Sequence, residues 1–403
     1  MGTAAVSNEE LVNKAVITTD ALASAGKLNP AQSDRFIDYV VDETVLKQNA
    51  RIIRFRNESL EIDKIGVGKR VAVPKAEAAD PNIRRGITTS KVTLSPSEIM
   101  VPFEIGDNFR EVNIEGDASE DTIIRLMATQ LANDMEDLVI NGNKLGPAVL
   151  QSDILEDGDT TRYVKDTYLA LQDGWSQLAD GGNVVDADGQ NIGLSIFSRA
   201  IRAMPTKFRR NKSELRWYLS PDLWQIYLEK LSTRATALGD NAVTGGGGTP
   251  GPFGITAVPV PLWEFQPKVV EHVVVTGTTP TALKNGPIVS GTVVVTPITL
   301  GNTPITPFVE STDYSIDYSA GTITRVGAGI SSGATIKVTY DAYPQLILTH
   351  KNNFILGIGR DIRIEKDRDI YKGVNQYAIT TKLAPQFEEL SAIVKVRNIG
   401  TGV

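Results

Sequence analysis

An α+β fold is predicted for this chain, and three observations predict it. Two β-patterned segments, 51–63 and 88–105, flank a polar tip; a long amphipathic helical segment follows at 117–141; and residues 267–343 are rich in Thr and Gly with no helical period. Two-residue and helical periodicities thus both occur in the one chain.

The first 49 residues read as polar and helical. Ser7-Asn8-Glu9-Glu10 has the spacing of a capping box. Asn29-Pro30 offers an N-cap with Pro at the first helical position, and Phe36, Ile37, Val40 and Val41 form the apolar stripe behind it. So few apolar residues make an arm that must dock on something larger. Residues 50–103 then form an extended hairpin, with Ile53, Phe55, Leu60 and Ile62 going out and Val92, Leu94, Ile99, Val101 and Phe103 returning. At about 3.3 Å per residue such a ribbon reaches roughly 40–60 Å. A lone two-stranded ribbon has no core of its own. It is expected to lie on another surface, and a second copy of the same chain is the nearest supplier.

The helix over 117–141 is justified by Asp117 and Glu120 as reciprocal caps, by Ile124, Met127, Leu131, Met135 and Leu138 at steps of three and four, and by Asn141-Gly142 as the stop. At 1.5 Å per residue it is a rod of roughly 36 Å. A second helix is expected over 163–179, with Tyr168, Leu169, Leu171 and Trp175 buried, and a third over 195–204. Residues 215–219 read as a strand. Ser220-Pro221 then starts a helix carrying Leu223, Trp224, Tyr227 and Leu231. The run Gly245 to Gly248 is a loop, and 255–260 a strand.

Residues 267–343 hold fourteen Thr, eight Gly and only four Lys or Arg. Tyr314, Ile316 and Tyr318 alternate, Ala320-Gly321 turns, and Ile336, Val338 and Tyr340 alternate again, so this block reads as a small all-β bead set into its host. An insertion needs close ends and an exposed site, which favours a bead that projects outward. Strands resume at 346–348, 354–358 and 362–364, and the last two are expected at 376–382 and 392–396.

Composition excludes several classes. With no Cys there is no disulfide framework, thiolate metal site or Cys nucleophile, and a net charge of −7 argues against a dedicated nucleic-acid binder. It does not argue against a container, whose inner wall must not grip its contents. The N-terminus lacks a basic segment followed by an apolar run, and no stretch approaches the roughly 20 apolar residues of a membrane span, so a cytosol-like compartment is expected.

The order of parts resembles the major capsid protein of tailed bacteriophages with the Hong Kong 97-type fold. The resemblance is carried by 36–44 (FIDYVVDET), 62–68 (IDKIGVG) and 353–361 (NFILGIGRD), and by their order more than by any one of them. It implies an N-terminal arm (1–49), an extended hairpin loop (50–103), a peripheral domain (104–194 and 376–403) with the spine helix at 117–141, an axial domain (195–266 and 344–375), and an inserted Ig-like β domain (267–343). It further implies pentamers and hexamers in an icosahedral shell around double-stranded DNA, assembled in the host bacterial cytoplasm and found in the virion. No catalytic residue, cofactor or metal is implied. Forty-nine residues are short for a built-in scaffolding segment, so a separate scaffolding protein is expected, with a portal and possible cement or decoration proteins as further partners. The Lys–Asn crosslink of some relatives matches no residue here.

The residues add one expectation. Between Lys64 and Lys91 the hairpin tip carries seven basic residues, among them Lys69, Arg70, Arg84 and Arg85, against Glu77 and Asp80. Between Glu115 and Asp137 the helix region carries seven acidic ones, among them Glu120, Asp121, Asp134, Glu136 and Asp137, against Arg125. Opposite blocks on an arm and a platform suggest docking between neighbouring copies that sets register. Solvated faces are the plainer alternative.

Other signals carry less. Gly66-Val67-Gly68-Lys69 lacks the first Gly of a phosphate loop. Asp186-Ala187-Asp188-Gly189 lacks the Gly and Glu positions of a calcium loop, and Glu156-Asp157-Gly158-Asp159 is no better. His272 and His350 have no partner at a recognisable spacing. Trp217, Tyr218, Trp224 and Tyr227 suit a packed core better than a stacking platform. The alternatives kept open are an encapsulin-like nanocompartment shell and a glycan-binding adhesin.

Overall fold

The computed structural model describes residues 16–17, 50–66, 88–107, 109, 118–154, 159–233, 251–298 and 304–401. The expected caps and helices of the first 49 residues, the basic tip from Lys69 to Arg85 and the Gly245–Gly248 loop lie outside them. Val16 and Ile17, within the segment expected to be helical, form a short strand instead.

Two five-stranded sheets make the body. The first has the order β1 (Val16–Ile17), β5 (Ser97–Gly106), β19 (Val374–Phe387), β18 (Phe354–Asp369) and β2 (Arg51–Arg54). β5 alternates as the pleat requires: Ile99, Phe103 and Ile105 point inward, and Glu98 and Met100 outward. The inward row meets α1 (Ala118–Asn141), whose Leu131, Met135 and Leu138 are buried against it together with Tyr377, Ile379 and Leu383. The predicted periodicity of this helix therefore marks its buried face.

The second sheet has the order β10 (Thr256–Pro259), β9 (Leu215–Leu219), β17 (Leu346–His350), β20 (Val394–Arg397) and β8 (Asn183–Asp186). Its central strands are apolar on both faces because each face has a core. Trp217, Leu219, Leu346 and Leu348 pack on α2 (Leu194–Ala203) and α3 (Pro221–Ser232), while Tyr218 and Ile347 turn toward the first core. Ser220 caps α3 as its sequence predicts, its hydroxyl accepting from the Leu223 N–H at 3.3 Å with Pro221 at the first position. Within the first core Phe354 links the two sheets, with ring centroids 4.7 Å from Trp175 and 4.8 Å from Tyr218 on β9, both edge-on.

Two small paired units complete the described fold. β3 (Leu60–Gly66) and β4 (Thr88–Leu94) are the ribbon, and β6 (Ala148–Leu150) and β7 (Tyr163–Lys165) a short hairpin after α1. The bead is two three-stranded antiparallel sheets. One has the order β11 (Lys268–Val275), β16 (Ala334–Asp341), β13 (Val294–Pro297); the other β12 (Thr281–Ala282), β15 (Thr322–Arg325), β14 (Tyr314–Asp317). They close on their own core, including Val275, Val295, Ile323, Val338 and Tyr340. Its ends meet, with Lys268 opposite Asp341 and the Ala342 N–H donating to the Pro267 carbonyl at 2.9 Å.

Three expectations need correction. The 163–179 segment is no continuous helix: Tyr163–Lys165 is a strand, and two short helical stretches follow at 169–171 and 175–181. Asp166 starts the first by accepting from the Tyr168 and Leu169 N–H groups at 2.9 and 3.0 Å, and Leu171 is exposed. Second, the ribbon is not one pair of strands from 51 to 105. It breaks near Pro96, and β2 leaves it to pair in parallel with β18. Third, the strands cross between the groups read from sequence order. β18, grouped there with 195–266, pairs with β19 and β2 in the first sheet, while β20, grouped with 104–194, lies in the second. The switch is made at Asn353, whose side chain donates to Thr349 Oγ1 at 2.8 Å and accepts from the Glu389 N–H at 2.8 Å, tying the outgoing chain to the returning one.

Candidate assembly surface

The ribbon reaches the body through a thin apolar base. Leu94, Ile355 and Ala384 are buried there, and Ile53, Phe55, Leu60 and Ile62 pack on them half-buried. Gly357 makes room for this: a Cβ at that position would lie 2.9 Å from the Phe55 ring edge. Polar contacts then carry the ribbon. Arg51 pairs with Glu388 at 3.3 Å, Lys64 with Glu389 at 3.5 Å and Lys91 with Glu61 at 2.5 Å, mostly in solvent. A hydrogen bond from Ser391, and then Lys64, hold the Glu389 carboxyl below its ordinary range. Between ribbon and body an open cleft of about 1150 Å³ is lined by charges of both signs, including Lys207, Arg210 and Glu388.

Of the contact residues predicted from sequence, Lys69, Arg70, Arg84 and Arg85 lie outside the described residues. Glu120 and Asp121 lie in the first turns of α1. Asp134, Glu136 and Asp137 lie in its second half, and here the charge count misleads. Glu136 is only 6% exposed, so it belongs to the interior and not to an open acidic platform. Asp134 accepts from Gln130 and Asp137 from Asn141, each at 2.7 Å. Burial raises both carboxyls above their ordinary values, and Asp166 and Asp134 push Asp137 further the same way. Among the described residues no ion pair reaches Asp134 or Asp137. Together with Asp166 they surround the Tyr168 hydroxyl, whose ionisation burial and these carboxylates suppress.

A second feature had no part in the sequence reading. The β18–β19 hairpin ends in Ile370, 80% exposed, and Tyr371, wholly exposed. Asp369 builds the turn by accepting from the Tyr371 and Lys372 N–H groups, and Gly373 takes the left-handed conformation that closes it. β2 covers the outer edge of β18 only as far as Ile358. Beyond it, where no strand among the described residues pairs with this edge, β18 is almost wholly charged from Arg363 to Asp369, which guards against indiscriminate pairing. The hairpin thus carries an exposed apolar tip on a charged stalk; the signal in sequence was Ile370-Tyr371 inside an Asp-to-Gly turn.

The remaining sequence signals resolve into structure. The Asp186 carboxylate accepts from Asn398 Nδ2 at 3.0 Å and pairs with Arg397 at 3.1 Å, so it holds a turn. His272 is exposed on β11, and His350 Nδ1 accepts from the Asn352 N–H at 3.2 Å. Trp217, Tyr218 and Tyr227 are core residues, with Trp224 packed beside them. Gly66 lies at the end of β3, paired with Thr88. Among the described residues no group of three or more His, Cys, Asp or Glu could hold a metal, and no helix is long and apolar enough to cross a membrane.

No family model matches the chain. Over 391 residues it is 29% identical to the protein named "Putative prophage capsid protein YqbE" of Bacillus subtilis (strain 168), spanning 96% of this chain and 98% of that one. The two are homologues over nearly the full extent of both. Among solved structures, a chain of the "Satellite phage P4 procapsid including size determination (Sid) protein" superposes with a TM-score of 0.50 at 10% identity, covering 94% of this chain and 96% of its own. The "Capsid of native GTA particle computed with C5 symmetry" gives 0.47 at 11% identity, with 93% and 100% covered. At such identities the P4 likeness is one of fold.

Proposed function

We propose that this chain is the major capsid protein of a tailed phage, many copies of which form the icosahedral shell that encloses its double-stranded DNA. The observation that carries this reading is the homology with a prophage capsid protein across almost the whole of both chains. The work of such a protein is self-assembly, and no residue needs to perform covalent chemistry. Its place is the virion, after assembly in the bacterial cytoplasm.

In this reading the Hong Kong 97-type parts follow the two sheets. The first sheet with α1 takes the peripheral role, the second sheet with α2 and α3 the axial one, and the ribbon is the extended loop. In this reading the ribbon, with little support from its own chain, finishes on a neighbour. The basic tip (Lys69, Arg70, Arg84, Arg85) meets the acidic first half of α1 (Glu120, Asp121), and Asp134 and Asp137, unpaired within the described chain, gain most from an approaching cation. The apolar tip at Ile370 and Tyr371 is a second contact between copies. A scaffolding protein guides closure, a portal occupies one vertex, and subunit rearrangement accompanies packaging.

The test is sedimentation of the full chain, expressed alone and with its neighbouring scaffold gene. Particles that sediment as shells are expected from the parent, and reversal of Arg84 and Arg85 to Glu should leave a folded chain that no longer closes them. A parent that stays monomeric in both settings contradicts the proposal.

A further inference from the structure

The bead is attached to the body at more places than its two covalent ends. Its 284–287 loop lies against the second sheet and the 175–181 turns: Lys284 pairs with Asp180 at 2.5 Å, Asn285 Oδ1 accepts from Arg397 Nη1 at 2.8 Å, and the Gly286 carbonyl accepts from Asn398 Nδ2 at 2.8 Å. Asp180 is shared, because it also pairs at 2.7 Å with Lys395, which is buried on β20. Burial works to raise the Asp180 carboxyl, but the two ammonium groups outweigh it and hold it below its ordinary value.

A separate contact lies on the bead's other sheet. The face of β11–β16–β13 turned away from the bead core is covered, not solvated: Lys337, Thr339 and Thr296 on it are all under 3% exposed. Thr339 Oγ1 accepts from the Ala148 N–H at 3.2 Å, and Tyr163 exchanges two backbone hydrogen bonds with Ile305 at 3.0 and 3.1 Å. The hairpin that follows α1 is thus extended by a bridge from the bead. A cavity of about 230 Å³ is lined jointly by Asn141 and Asn143 at the end of α1 and by Val269, Val270 and Asn285 of the bead.

We infer that the bead's function is to brace the body from within its own chain, pinning the β6–β7 hairpin behind α1 to the second sheet. Three segments far apart in sequence (148–165, 180 and 397–398) converge on one inserted unit, so the bead is docked on its own chain as well as joined to it at two close ends. A surface ornament needs only its two close ends, which this bead already has. The extra contacts are what a brace requires, since cross-linking separate elements raises the cost of local opening. This inference concerns one chain and stands whether or not the chain forms shells.

The experiment is hydrogen exchange on the full chain with Lys284→Met/Asn285→Ala, and separately with Thr339→Val. These variants remove the Lys284–Asp180, Asn285–Arg397 and Thr339–Ala148 contacts and leave the bead core intact. For the first, exchange at 175–181 and 394–398 is expected to speed up at least about ten-fold; for the second, the same at 148–150 and 163–165. Bead strands 294–297 and 336–340 should keep the parent rate in both. Unchanged exchange in the body with either variant overturns the brace.

Discussion

The bead and the ribbon are both β-structure read directly from the sequence, yet they are held in opposite ways. The bead closes two sheets over its own core and is pinned to the body through Asp180, Arg397 and Asn398. The ribbon rests on Leu94, Ile355 and Ala384 at its base and is otherwise carried by ion pairs open to solvent. Exposed ion pairs contribute little to stability, so the described part of the ribbon is held less firmly by its own chain than the bead is. In the proposed reading the element with its own core braces the subunit, and the element without one serves assembly.

The largest expected effect tests the bead's attachment. Asp180→Asn leaves buried Lys395 without its carboxylate, and denaturant unfolding should show a loss of about 3–5 kcal/mol. A loss no larger than that of an exposed pair would erase the contrast between the two regions. Next, Ile323→Ala opens a cavity in the bead core and should cost about 2–5 kcal/mol by the same measurement, with ribbon exchange unchanged.

A pH measurement sharpens the picture of the docked face. Burial, helped by Lys165, lowers the Lys337 ammonium from its ordinary 10.5 to about 8. The unfolded chain therefore binds the extra proton between these values, and stability from this group rises as pH climbs from about 8 to 10.5. Below about 8 the full cost of the buried charge remains, so Lys337→Met should raise the unfolding midpoint at pH 7 and remove that alkaline rise. A variant whose pH profile parallels the parent's would mean that Lys337 is solvated.

Smaller effects belong to the ribbon. Ile62→Ala, half-buried at the base, should cost about 1–2 kcal/mol of chain stability while cutting particle yield far more. Lys91→Met removes an exposed pair with Glu61 and should leave the thermal midpoint unchanged. If Lys91→Met destabilises the isolated chain as much as Asp180→Asn does, the ribbon is self-supporting and the comparison fails.

Much of this architecture was legible because local signals agreed with tertiary demands. The stripe Ile124 to Leu138 gave the helix at 118–141 to within one residue of its start, and Ser220-Pro221 marked the cap of the helix after β9. The alternation of Ile336, Val338 and Tyr340 faces the bead core as expected. What failed was information that local pattern does not carry. Phe354 to Leu356 are buried throughout, so no alternation tells which sheet they join. The 163–179 segment has a helical stripe, but Gly174 approaches the end of α1 so closely that a Cβ there would meet the Ile140 carbonyl at 2.6 Å, and that packing sets its path. Charge counting placed Glu136 on a platform because sequence records a charge and not its burial. The Ile370–Tyr371 tip escaped notice because two apolar residues in a turn have no periodicity.

The most direct test of the central claim is cryo-electron microscopy of the full chain purified after expression with its scaffold gene. The account predicts closed icosahedral shells in which the ribbon of each subunit lies on its neighbour while the bead stays against its own body. A compact monomer, or shells in which the ribbon touches only its own chain, would contradict it.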